Sequence, residues 1–120
     1  MIKTIKIKRV YELPSPSDGI RILIDRLWPR GMTKNHAKIS IWLKEIAPSH
    51  ELRRWFNHDE KKFNEFRIKY FAELAHKKDL IKEILSQESS VVTLVYAARD
   101  AKVNHAVCLK EYIKENFLKK

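Results

Sequence analysis

The chain has 120 residues, of which 44% are hydrophobic and 33% charged, and its net charge is +10 with histidine neutral. This length and composition predict one globular domain over residues 1–120 with a core of its own, and they exclude a disordered chain. The apolar runs fall far short of the roughly 20 residues of a membrane span, the opening Met1-Ile2-Lys3-Thr4-Ile5-Lys6 lacks a secretory signal's apolar stretch, and the lone Cys108 excludes an internal disulfide or a cysteine-rich zinc cage; the expectation is a cytoplasmic protein with no membrane partner.

Ile5 and Ile7 alternate with Lys6 and Lys8, which predicts a strand with one wet face at a sheet edge. Leu13-Pro14-Ser15-Pro16-Ser17-Asp18-Gly19 is loop punctuation with a tight turn at Asp18-Gly19. Ile20 to Asp25 is apolar on both faces, hence a central strand. The link between these two strands is short for a helical crossover and favours an antiparallel pairing. Gly31 to Ser40 reads as a surface loop, followed by a short helix or turn around Trp42-Leu43-Lys44-Glu45-Ile46 that Pro48 stops. Ser49 is an N-cap candidate for a helix over Glu51 to Phe56, and Asp59 for the next. Phe63, Phe66, Tyr70 and Leu74 recur at helical steps, and so do Leu80, Ile81, Ile84 and Leu85. Ser89-Ser90 breaks that pattern before a second two-sided strand, Val91 to Ala97. Ala106, Leu109, Ile113 and Phe117 mark the core face of a last helix.

The predicted fold class is therefore α/β: a small, mainly parallel or mixed central sheet of three or more strands flanked by helices, Rossmann-like. Two central strands joined by several helices make a parallel pair by default. Their carboxyl ends then lie side by side, where open α/β sheets bind ligands. Both ends are rich in charge: Asp25-Arg26-Leu27-Trp28-Pro29-Arg30-Gly31 follows the first and Tyr96-Ala97-Ala98-Arg99-Asp100 the second. Arg26, Arg30 and Arg99 are candidate anion ligands, because a guanidinium grips phosphate or carboxylate through two parallel hydrogen bonds. Asn104 opens the last helix, is a good cap, and adds the anion preference of a helix start. Asp25, Asp100 and His105 are the candidate catalytic groups, imidazole being the side chain that exchanges protons near neutrality. The competing reading is that the aspartates and arginines only pair with one another as a structural network. Trp28 lies in the site loop and could stack on a ring; Trp42 and Trp55 are expected in the core. Cys108 falls one helix turn after His105, and a buried core thiol is the preferred reading over a nucleophile. Phosphate-cradling glycine loops and metal-ligand spacings are missing from the sequence, so neither a cofactor nor a metal is expected. The basic residues are diffuse, with only pairs such as Lys77-Lys78 and Lys119-Lys120 in place of a dense tract.

Arg9-Val10-Tyr11, the Asp25–Gly31 segment, Trp42-Leu43-Lys44, Ala47-Pro48-Ser49, Leu52-Arg53 with Trp55-Phe56, His58-Asp59, Tyr96 to Asp100 and Asn104-His105-Ala106 together resemble the YeaO-like proteins, a bacterial and archaeal family labelled a domain of unknown function. The resemblance spans nearly the whole chain and implies a compact α/β protein. It supplies no substrate, cofactor or catalytic residue. Three functions follow from the sequence. The first is an enzyme or binding protein for a small phosphorylated or carboxylated ligand. The second is a nucleic-acid-associated module with Trp28 stacking on a base, and the third a structural or partner-binding protein.

Overall fold

Two strands that are apolar on both faces sit in the middle of the sheet, and the rest of the chain is arranged by which face it covers. The computed structural model describes residues 1–118; the basic pair Lys119-Lys120 lies outside them. The strands are β1 (Thr4–Arg9), β2 (Ile20–Leu23), β3 (Ile41–Trp42) and β4 (Val91–Tyr96). They form one sheet in the order β1-β4-β2-β3 with every pairing parallel. Flanking helices are α1 (Lys34–Ala37), α2 (His50–Phe56), α3 (Phe63–Leu74), α4 (Lys78–Leu85) and α5 (His105–Ile113). This is a small Rossmann-like α/β fold, as the sequence predicts.

Alternation along the central strands divides the core in two. Ile22, Ile24, Val92, Leu94 and Tyr96 join Ile5 and the apolar residues of α2 to α5 in the main cluster. Leu23 and Val95, one residue out of phase, form a smaller cluster on the opposite face with Val10 and Ala37, covered by Trp28, Met32 and Ile39. The main cluster thus lies under four helices, and the other face is closed by the loop after β2. A polar lock completes that second face: Arg21 bonds Asp18 (Nη1 to Oδ2, 2.8 Å) and the carbonyl of Ala37 (2.8 and 3.0 Å), Lys8 bonds Asp18 at 3.0 Å, and Thr93 donates to the Asp18 carbonyl. Burial alone would raise the Asp18 carboxyl, but hydrogen bonds from Lys8, the Ser15 N–H and Arg21 outweigh it and hold the group below the ordinary carboxylate range.

Three expectations are corrected. β1 is parallel to its neighbour, and that neighbour is β4. Because β4 separates β1 from β2, the short link between them spans a strand and never turns back as a hairpin. It carries a 3-10 turn, Pro16–Asp18, capped by Ser15, and enters β2 at Gly19 with φ +63°. The Trp42 segment begins as the edge strand β3, paired with Ile22 and Leu23, and only Lys44–Ile46 is helical, as one 3-10 turn. Trp42 consequently stands 37% exposed, its ring edge-on to Trp28 and beneath the Lys44 ammonium, while Trp55 is half-buried against the main cluster. Finally, the loop predicted over Gly31 to Ser40 contains α1, whose first turn is capped by Thr33. The caps expected at Ser49, Asp59 and Asn104 are all present. Among the described residues no helix is long and apolar enough to cross a membrane.

Candidate functional site

β2 and β4 end side by side, and the two loops that leave them are tied together. Asp25 Oδ2 accepts the Ala97 N–H at 3.0 Å, across 72 positions of sequence. The Asp25 carbonyl in turn accepts the Trp42 indole N–H at 2.7 Å. α5 begins above this joint. Asn104 caps it through the Val107 N–H and gives its amide N–H to the Asp100 carbonyl. His105 then reaches down to β2, with Nε2 3.2 Å from the Ile24 carbonyl and 3.1 Å from Asp25 Oδ1. A carbonyl can only accept, so Nε2 carries the proton and donates it there. Asp25 Oδ1 stands at ion-pair distance from the same nitrogen, outside hydrogen-bond geometry.

A cleft of about 390 Å³ opens at this edge. Its polar lining is Asp25, Arg26, Arg53, His58, Asn104 and His105, and its apolar wall includes Phe56 and Phe66. Ala47 and Pro48, in the turn before α2, line it as well, and α3 and the residue that opens α4 hold that turn from behind. Tyr70 donates to the Ile46 carbonyl at 2.8 Å and Lys77 to that of Ala47 at 3.0 Å. Glu73 accepts both the Ser49 N–H (2.8 Å) and its hydroxyl (2.6 Å). Burial, opposed by the Glu73 charge, lowers the Lys77 ammonium. At the far end of α2, Asn57 and His58 both adopt left-handed φ, 45° and 54°. Neither is glycine, and such strain persists where the surroundings impose it.

The electrostatics of the cleft are unfinished. Among the described residues, the buried side-chain atoms with no hydrogen-bond partner are Asp25 Oδ1, Arg26 Nε and Arg53 Nε, and all three belong to the cleft lining. Arg26 reaches Glu45 only at 3.6 Å, an exposed contact worth little. Buried polar groups are normally satisfied, and the three exceptions all belong to residues that line this cleft.

Of the sequence candidates, Asp25, Arg26, Asn104 and His105 converge here. Arg30 and Arg99 are exposed and do not line the cleft; the Arg30 carbonyl accepts from Tyr11 instead. Asp100 is exposed too. It folds back on the N–H groups of Lys102 and Val103, which hold its carboxyl below the usual range. Trp28 points to the opposite face, where its N–H donates to the Met32 carbonyl. Cys108 is buried in the main cluster, and burial with the nearby Glu111 pushes its thiol up to about 12. Arg53 and His58 were not recognisable as site residues from spacing, although both lie in segments that carry the family resemblance.

With the geometry in view, comparison with other proteins adds the following. A family model described as "Inactive DUF488-N3 subclade" matches residues 4–120. The chain is 40% identical over 111 residues to "Uncharacterized protein YeaO" of Escherichia coli (strain K12), covering 92% of this chain and 96% of that protein. It is 39% identical over 109 residues to "Uncharacterized protein Rv3073c" of Mycobacterium tuberculosis, covering 91% and 92% respectively. No solved structure matches it.

Proposed function

The chain belongs to the YeaO-like DUF488 proteins, in the subclade described as inactive, and from that premise we propose that its cleft binds a small organic anion without turning it over. One observation carries this reading: the guanidinium groups of Arg26 and Arg53 belong to the lining of one cleft, and the buried Nε of each has no acceptor in the protein. A carboxylate or phosphate supplies acceptors for both, and charge-assisted bonds of that kind are the strong ones. The start of α5 favours the same sign of charge. Asp25 and His105 support a binding role as well. Asp25 joins the ends of β2 and β4, and the His105 N–H is spent on a backbone carbonyl, so both shape the cleft floor.

Thermal unfolding in the presence of phosphate, acetate and benzoate tests this. An anion at a hundred times its Kd adds about 2.7 kcal/mol, which raises Tm by about 10 °C in a domain of this size. Replacing Arg26 and Arg53 by Met removes the shift, whereas Arg30→Met and Arg99→Met keep it. Absence of any shift with every anion refutes the reading.

The net charge of +10 favours a second reading, a nucleic-acid-associated module. It requires oligonucleotide affinity that falls steeply with salt, with a log–log slope of about −0.7 to −0.9 per phosphate contacted.

A further inference from the structure

Resting on the anion reading above, we infer that His58 is a third donor of the cleft, and that it selects a phosphate monoester, with three terminal oxygens, over a carboxylate with two. The first observation is a conflict between the residue and its backbone. Asn57 and His58 follow α2 in succession with left-handed φ, 45° and 54°. Asn57 serves the fold there: it is the C-cap, and its N–H returns to the Arg53 carbonyl at 2.9 Å. At the next position glycine would hold the same backbone without strain, and the imidazole gives the fold nothing in return. The histidine rings that bond within the fold are those of His36 and His105. The exposed His58 ring has no such partner among the described residues and stands 6.3 Å from the Phe56 ring. What it does is line the cleft, which Asn57 does not. Local rules are broken in this way where a site needs the side chain.

The second observation is what the ring joins. Arg26 enters the lining from the loop after β2, Arg53 from α2, and His58 from the turn beyond it. Asp25, the acid of the lining, is occupied: Oδ2 accepts the Ala97 N–H, and Oδ1 stands 3.1 Å from His105 Nε2. Three basic side chains therefore line one space. Two guanidinium groups are enough for the two oxygens of a carboxylate. An imidazole N–H adds a third donor, and a phosphate monoester has a third terminal oxygen to accept it. The cleft volume of about 390 Å³ falls in the range of small-molecule sites, about 300–1,000 Å³. The ester thus carries a small organic body, beside Leu27, which lines the cleft while 73% exposed.

Calorimetry on the full chain with phenyl phosphate, benzoate and inorganic phosphate tests this, with His58→Gly and Asn57→Gly as the variants. In the unaltered protein phenyl phosphate binds about tenfold more tightly than benzoate, the worth of one hydrogen bond to a charged group, and more tightly than inorganic phosphate. His58→Gly abolishes the advantage over benzoate, leaves benzoate affinity as it was, and does not lower Tm. Asn57→Gly keeps the advantage. Equal affinity for phenyl phosphate and benzoate in the unaltered protein overturns the inference and leaves the anion site standing. A His58→Gly protein that keeps the preference, or loses both ligands alike, does the same. Inorganic phosphate bound as tightly as its phenyl ester overturns the organic body. A fall in Tm on His58→Gly means that the ring serves the fold, and it too overturns the inference. Failure of all three probes removes this inference and the anion reading together.

Discussion

Asp18→Ala measures what the polar lock under the second sheet face contributes. The Asp18 and Arg21 side chains are each only 4% exposed, and Nη1 to Oδ2 is 2.8 Å. Asp18 also accepts from Lys8 and from the Ser15 N–H, so its loss strands a buried guanidinium and unpairs the 3-10 turn that enters β2. Breaking such a pair from one side costs about 3–5 kcal/mol, a large share of the about 5–15 kcal/mol that holds a domain together. With a urea slope of about 1.5 kcal/mol/M, the midpoint followed by tryptophan fluorescence falls by about 2–3 M. Arg21→Met removes the other partner, and the double variant costs less than the sum of the singles by about 1–3 kcal/mol. Because the folded carboxyl lies below its ordinary value, its stabilising effect is complete above the unfolded pKa of about 3.9 and is lost as pH falls through the lower folded value. Asp18→Ala therefore flattens the acid limb of stability below about pH 4. A single-variant cost under about 1 kcal/mol, the range of exposed pairs, or strict additivity, refutes the reasoning.

Three further outcomes follow from local geometry. Gly19→Ala drives a Cβ into the Val91 carbonyl at φ +63°, so it disrupts β2–β4 pairing and lowers Tm far more than Gly31→Ala, which shares the positive φ (+78°) but whose Cβ meets only open space; equal shifts count against this. Cys108, buried with its thiol pushed up to about 12, resists iodoacetamide at pH 8 in the native protein and reacts once urea unfolds it. Glu73→Gln weakens both bonds that hold Ser49, costs about 1–2 kcal/mol in denaturant titration, and lowers anion affinity through the displaced wall; unchanged affinity separates the wall from the site.

What could be read from the chain, and what could not, depends on how local the signal was. Ile22 and Leu23 face different clusters, so the strand had to be apolar at successive positions, and its central place was legible. Asp25 and His105 were legible as members of one sheet edge because parallel neighbours end on one side, a topological argument that needs no contact distance, although the acid expected beside His105 was Asp100. β3 has two residues, too few for any alternation, and Trp42-Leu43 with Ile46 mimics helical spacing. Asp18 looked like a turn residue, and nothing nearby in sequence shows that Arg21 and Thr93 bury it. Arg53 sits beside Leu52 on α2, and only the bonds from Tyr70, Lys77 and Glu73 to the preceding turn swing that helix over the sheet edge. Arg30 and Arg99 were misleading for the opposite reason: they are close to the site in sequence, but the loops carry them outward.

Trp28 decides between the two readings of the basic surface. Its loop serves both sides of the sheet: Asp25, Arg26 and Leu27 line the cleft, and Trp28, Met32 and Ile39 cover the opposite face. The ring meets Trp42 edge-on at 5.5 Å, its N–H is 2.6 Å from the Met32 carbonyl, and Trp42 holds the Asp25 carbonyl. A tryptophan so engaged acts as packing, and its removal loosens the loop that positions Arg26. Trp28→Leu should then cost about 2 kcal/mol, less than the about 3–5 kcal/mol of a fully buried aromatic truncated to Ala, because the residue is half-buried. It should also weaken anion binding, with Arg26 no longer held. For a base-stacking tryptophan the result is different: stability is nearly unchanged and single-stranded oligonucleotide affinity falls by about 1–3 kcal/mol. Chemical denaturation and oligonucleotide titration of the same variant separate the two, and a stable Trp28→Leu protein with lost oligonucleotide affinity would overturn the packing role.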